Sequence, residues 1–100
     1  MAWTVEAAEG GVRVALAGTL DVFEAAPFHA LLVDLARRKD EVVMDLSACS
    51  RLDSAALQLL LAFRMALEAD GRGLRVEPGA SPVSRLLADC GLLGAPRVRP

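Results

Sequence analysis

The chain has no tyrosine, one histidine, two cysteines and four aromatic residues in all. Trp3, Phe23, Phe28 and Phe63 are too few to build a platform on which bases could stack. His29 stands alone, which restricts acid–base and metal chemistry. Cys49 and Cys90 lie far apart, form no Cys-x-x-Cys and have no histidine at zinc spacing. Two buried thiols in a reducing compartment are the expectation, with no metal and no cofactor. A dense basic run is also missing. Eleven Lys and Arg against thirteen Asp and Glu leave a net charge of −2, which argues against nucleic acid as a partner. No apolar run approaches the roughly 18 residues that a spanning helix needs, so no direct membrane insertion is expected. Met1-Ala2-Trp3-Thr4-Val5-Glu6 has neither a basic n-region nor an apolar h-region, and the default location is cytoplasmic. Glycine-rich phosphate loops are absent too. Gly10-Gly11 fits a hairpin turn, and Gly18-Thr19-Leu20-Asp21 has too few glycines for a nucleotide fingerprint.

What the chain does have is apolar content: 54% hydrophobic against 24% charged, over 100 residues. That excludes a disordered tail and suits one small domain spanning residues 1–100. Trp3, Val5 and Ala7 alternate with polar positions as a strand does, and Val12, Val14 and Leu16 alternate again up to Gly18. Glu9-Gly10-Gly11 between them reads as a hairpin turn. Asp21 is a candidate helix N-cap, with Pro27 in the first helical turn or an irregular lead-in. Phe28, Leu31, Leu32 and Leu35 share one helical face, and Arg37-Arg38-Lys39 suits the negative end of the helix dipole.

Val42-Val43-Met44 with Leu46 predicts a strand that is covered on both faces or central in a parallel sheet. Asp45 to Ser50 reads as its exit loop. A long helix is predicted from Ser54 to Ala69, its end bracketed by Gly71 and Gly73. Leu74 and Val76 give a further strand, and Pro78-Gly79 a turn. Ser81-Pro82 is an N-cap followed by Pro at the first helical position, opening a helix with Val83, Leu86, Leu87 and Cys90 inward. Residues 96–100 are a frayed end or a short edge strand. The order is β-β-α-β-α-β-α. It implies an α/β fold with a mixed, mostly parallel sheet of four to five strands, an N-terminal hairpin and about three helices.

The segment from Val43 to Leu57 carries the most information. A buried strand leads through polar residues to Asp53-Ser54 at a helix start. Ser54 lies at or beside the N-cap, where free backbone N–H groups and the dipole favour a phosphate. A phosphoryl group there adds about −1.5 to −2 charges next to Asp53. The plain alternative is that Asp53 and Ser54 only start the helix.

In these residues the chain resembles a STAS domain, the fold of bacterial anti-sigma factor antagonists. The matching stretches are Gly18-Thr19-Leu20-Asp21, Asp45-Leu46-Ser47, Leu52-Asp53-Ser54-Ala55-Ala56-Leu57, Gly73-Leu74-Arg75-Val76 and Val83 to Leu92. The resemblance implies that Ser54 is a phosphorylation site. It implies that the unphosphorylated protein binds a kinase-fold anti-sigma factor, and that phosphorylation breaks the complex. Asp21 matches the family's acidic residue near that site. Ala56 departs from the family's usual Gly, adding a methyl where a partner's backbone would approach. Other branches of the family are subunits of phospholipid-transport ABC transporters, bound to the ATPase, or chemotaxis-associated signalling proteins. The run Ala56 to Phe63 looks closer to these.

The long helix supplies a second clue. Leu59, Leu60, Phe63 and Leu67 line one face, while Leu57, Leu61 and Met65 line another. A sheet covers one stripe only, so the second packs on the final helix or is a partner surface, which would also favour a homodimer. The expected partner-binding set is Asp21, Asp53, Ser54, Ala55, Leu57, Gln58, Leu61 and Met65. A rival reading makes Ser54, His29 and Asp53 or Asp45 a small serine hydrolase, but no Gly-x-Ser-x-Gly elbow surrounds Ser54 and nothing aims His29 at it. A non-enzymatic regulatory domain is the expectation.

Overall fold

The computed structural model describes residues 2–8, 10–38 and 40–93. The expectations on Met1, Glu9, Lys39 and the 96–100 tail lie outside the described residues. Strand β1 (Ala2–Ala8) pairs antiparallel with β2 (Gly11–Leu20), Val5 opposite Val14. A 3-10 turn at Val22–Glu24 leads into helix α1 (Ala25–Arg37). Strand β3 (Glu41–Leu52), helix α2 (Ser54–Ala69), strand β4 (Leu74–Glu77) and helix α3 (Ser84–Asp89) follow. The sheet order among the described residues is β1-β2-β3-β4, with β2, β3 and β4 parallel. The mixed sheet, hairpin and three helices are those expected, with four strands.

One face of the sheet carries the core. Val12, Val14 and Leu16 of β2, Val42, Met44 and Leu46 of β3, and Leu74 and Val76 of β4 are buried. They join Phe28, Leu32 and Leu35 of α1, Leu60, Phe63 and Leu67 of α2, and Leu87 of α3 in one cluster. Trp3 ties β1 to α1, its ring 5.8 Å from that of Phe28 at 52°. The opposite face is more open. There Arg13 of β2 meets Asp45 of β3 at 2.9 Å and Glu77 of β4 at 2.7 Å. So β3 is interior to the sheet but covered on one face, where a strand covered on both was the other expectation.

Five local readings need correction. Asp45 to Ser50 is not an exit loop: β3 runs on to Leu52. Ala15 pairs with Asp45 but Ala17 with Ala48, and Gly18 with Cys49 but Thr19 with Arg51. At each step β3 carries one extra residue, a β-bulge that rotates the following side chains. Inward positions then come every third residue, Leu46, Cys49 and Leu52, which does not look like a strand in the sequence.

Gly11 is not a turn residue but the first of β2. Gly10 holds the left-handed φ of 76°, whereas a Cβ on Gly11 would collide with the Glu41 carbonyl. Only Gly71 makes the left-handed stop of α2. Its N–H donates to Glu68 O at 3.0 Å and the Arg72 N–H to Leu67 O at 2.8 Å, while Gly73 has no positive φ. Ser81 is no helix cap: α3 starts at Ser84, the Ser81 carbonyl accepts the Ser84 N–H at 3.1 Å, and the Ser81 hydroxyl is buried without a partner. On the same segment Leu86 is exposed and Cys90 only half-buried, whereas Cys49 is buried.

Candidate functional site

Helices α1 and α2 each follow one of two parallel neighbouring strands, so both start at the carboxyl-terminal end of the sheet. A backbone bond joins the two starts: the Asp53 N–H donates to Leu20 O at 3.1 Å. This brings Asp21, one residue past β2, beside Asp53 and Ser54. Asp53 is the N-cap of α2. Its Oδ1 accepts the Ala56 N–H at 3.0 Å, and its carbonyl accepts the Leu57 N–H at 3.0 Å. Ser54 is therefore the first helical residue rather than the cap, and it is exposed. The N–H groups of Ser54 and Ala55 have no acceptor within the helix, as at any helix start.

Asp21 caps a different element from the one expected. Its Oδ1 accepts the Phe23 N–H at 3.0 Å and its carbonyl the Glu24 N–H at 3.0 Å, which closes the 3-10 turn. Helix α1 itself starts after Glu24 with no side-chain cap. Asp21 thus holds a turn and stands at the site edge.

Down α2 the side chains sort into three sets. Ala56, Leu60, Phe63 and Leu67 point into the core. The buried Ala56 corrects one expectation: its methyl fills the core beneath the helix and does not stand where a partner approaches. Ala55, Leu59, Ala62 and Ala66 flank a groove against α1, which Ala26, His29 and Ala36 line from the other side. Ser54, Gln58 and Met65 form the outer crest, Met65 being 70% exposed. Leu57 and Leu61 are half-buried and pack on the edge of the core, so the second apolar stripe is partly covered.

Arg64, on that same flank, was not anticipated as a buried residue. Its guanidinium donates from Nη1 to Gly91 O at 2.9 Å and from Nε to Glu68 Oε2 at 3.3 Å. This arginine ties that flank of α2 to the turn that follows α3. Nothing in the local pattern distinguishes this arginine from a solvated one. Phe23, which the sequence reading also passed over, projects from the turn that Asp21 closes and is 89% exposed.

The hydrolase arrangement is not assembled. His29 lies on the α1–α2 groove, and no hydrogen bond joins it to Ser54 among the described residues. Asp53 is occupied as a cap, and Asp45 accepts from Arg13 and from the Ser47 N–H on the open face of the sheet. The hydrogen bonds from Ser47, then Arg13, hold the Asp45 carboxyl below its ordinary value. Burial pushes the Cys49 thiol up.

A strand–helix junction with an exposed serine behind an aspartate cap, on a mixed four-stranded sheet, defines a class. A family model described as "Mlab, STAS domain" matches residues 3–97, and the chain belongs to the STAS domain family. Its fold is similar to the anti-sigma factor antagonist SpoIIAA in its unphosphorylated form, at 20% identity and a TM-score of 0.72, covering 88% of this chain and 82% of that one. It is similar also to an anti-sigma factor antagonist from Mycobacterium paratuberculosis, at 25% identity and a TM-score of 0.75, covering 91% and 78%. A STAS domain antagonist from Rhodobacter sphaeroides aligns at 21% identity and a TM-score of 0.60, over 77% and 85%. No curated protein sequence matches the chain. No helix among the described residues is long and apolar enough to cross a membrane.

Proposed function

We propose that the chain is a non-enzymatic regulatory domain of the cytoplasm, working as a single unit over residues 1–100. It binds a protein partner through the start of α2, under control of phosphorylation at Ser54. The observation that supports this most is the placement of Ser54: exposed, first in the helix and continuous with the exposed crest of Gln58 and Met65. A phosphoryl group there adds charge beside Asp53 and Asp21, at the head of the exposed crest that ends in Met65. Desolvating that charge against a partner opposes binding. The resemblance suggests a kinase-fold anti-sigma factor or a chemotaxis signalling component as the partner.

A second reading is favoured by the family model's own description. In it the domain is a constitutive subunit of a phospholipid-transport ABC transporter, and Ser54 is a contact residue that is not modified. Affinity capture from host lysate with wild type, Ser54→Ala and Ser54→Asp separates the two. The switch reading expects a signalling partner on the first two baits and at least a tenfold loss on the third. Equal capture of a transporter ATPase by all three supports the subunit reading and ends the switch.

A further inference from the structure

Strand β1 forms one border of the sheet, and among the described residues nothing pairs with its outer side. The phase of its hydrogen bonds follows from the hairpin. Ala8 pairs with Gly11 with only two residues between them, so theirs is a hydrogen-bonded pair. Alternation then turns the backbone of Glu6, Thr4 and Ala2 towards β2, and the N–H and C=O groups of Trp3, Val5 and Ala7 outwards. Borders that stay unpaired are usually short, charged, bulged or interrupted by proline. The other border fits that description: β4 has four residues, and Arg75 and Glu77 are two of them. Strand β1 does not. It has seven residues, pairs with β2 without a bulge, holds no proline and carries one charge, Glu6. Val5 stands opposite the buried Val14, hence on the face that carries the core, yet it is 43% exposed.

We infer that β1 pairs antiparallel with β1 of a second copy, about a two-fold axis through Val5, making one sheet across two molecules. Val5 is the middle residue of β1, so this register alone uses all the outward-facing groups. Val5 then bonds its own counterpart, and Trp3 bonds the partner's Ala7, twice over by symmetry. Moving the axis to Trp3 leaves Ala7 without a partner in β1, and moving it to Ala7 does the same to Trp3. On the core face the two valines meet, and each tryptophan lies beside an alanine. On the open face Glu6 falls opposite the partner's Thr4, so no like charges stand directly opposite each other. The strand is complementary to itself, and this selects a second copy over an unrelated strand. The contact is one strand wide, so the dimer is of the weak, exchanging kind. Antiparallel pairing turns the carboxyl-terminal ends of the two sheets away from each other and leaves both copies of Ser54 exposed. The inference therefore does not rest on the proposed function.

Sedimentation equilibrium of the whole chain from about 5 µM to about 1 mM tests this. Wild type is expected to pass from monomer towards dimer mass across that range. Thr4 and Glu6 read the register, and both are exposed. Thr4→Lys sets a cation opposite the partner's Glu6 at two symmetric places and is expected to tighten the dimer. Thr4→Glu sets like charges there and is expected to loosen it. The two dissociation constants should differ at least about tenfold. Val5→Pro removes an N–H that points away from β2, which a border strand tolerates, and is expected to give monomer throughout. Far-UV circular dichroism and the urea midpoint of each variant check that the fold stays in place. If Val5→Pro does not fold, the two Thr4 variants decide. Monomer mass for wild type at every concentration, which would leave this border to another protein's strand, overturns the inference. So does a dimer that folded Val5→Pro keeps, or a pair of Thr4 variants that shift the constant alike.

Discussion

The Ser81 hydroxyl is buried without a hydrogen-bond partner, in a position where a local reading makes it a helix cap. A Ser-Pro pair is a good start signal, but here the chain makes a turn first, and α3 begins three residues later. A buried hydroxyl left without a hydrogen-bond partner costs about 1–3 kcal/mol. Ser81→Ala is therefore expected to stabilise the fold by up to about 1 kcal/mol, read as a higher urea midpoint with an unchanged slope. A lower midpoint would show that the hydroxyl makes a bond after all. The Asp53-Ser54 pair had the opposite outcome. Its cap was legible because Asp next to a long apolar-periodic run has one common meaning. Which of the two residues caps and which stays exposed was not legible, since both types do either.

At the scale of elements, Arg72 does for α1 what no residue of α1 does for itself. Standing just past the C-cap of α2, it reaches the far end of the other helix. Its guanidinium donates to Ala36 O at 2.6 Å, to Asp40 O at 3.1 Å and to Arg38 O, while Asp70 pairs with its Nε at 3.0 Å. These carbonyls belong to the end of α1 and the link to β3, which would otherwise be left unpaired. Arg72→Ala is expected to cost about 2–3 kcal/mol in unfolding free energy, since bonds from a charged donor are the stronger kind. Arg72→Lys should recover only part, because one ammonium nitrogen lacks the rigid planar spread of donors by which the guanidinium reaches these separate acceptors. An Arg72→Ala variant as stable as wild type in urea would mean that water serves those carbonyls equally well. The length of β3 belongs to this scale too. Two bulges turn its inward period from two to three, and no local pattern announces a bulge that exists only against β2.

Across the whole molecule, Arg13, Asp45 and Glu77 tie three parallel strands on the open face of the sheet. Partly exposed pairs of this kind add little to stability at neutral pH. Their signature is the pH profile. The folded Asp45 carboxyl sits below its ordinary value, first through Ser47 and then through Arg13, so at acid pH the unfolded chain binds the proton more readily. That contribution is present above the ordinary aspartate value near 3.8 and is lost as pH falls through the lower folded value. Urea midpoints measured from pH 6 down to pH 2.5 should fall, and Asp45→Asn should fall less steeply over the lower part of that range. Parallel profiles for the two proteins would remove Asp45 from the account.

Local chemistry alone determined the hairpin, the order of strands and helices, and both ends of α2. Alternation, helical spacing, an aspartate cap and a glycine stop are properties of neighbours in the chain, and a few residues suffice to state them. Burial is different, because it is settled by what lies across the fold. Only the packed molecule decided that Arg64 points inward to Gly91, that Ala56 fills the core, that β3 continues through two bulges, and that Phe23 is left outside. Each of those outcomes depends on a contact between segments far apart in sequence. A side chain's own identity does not say which partner the fold will place beside it.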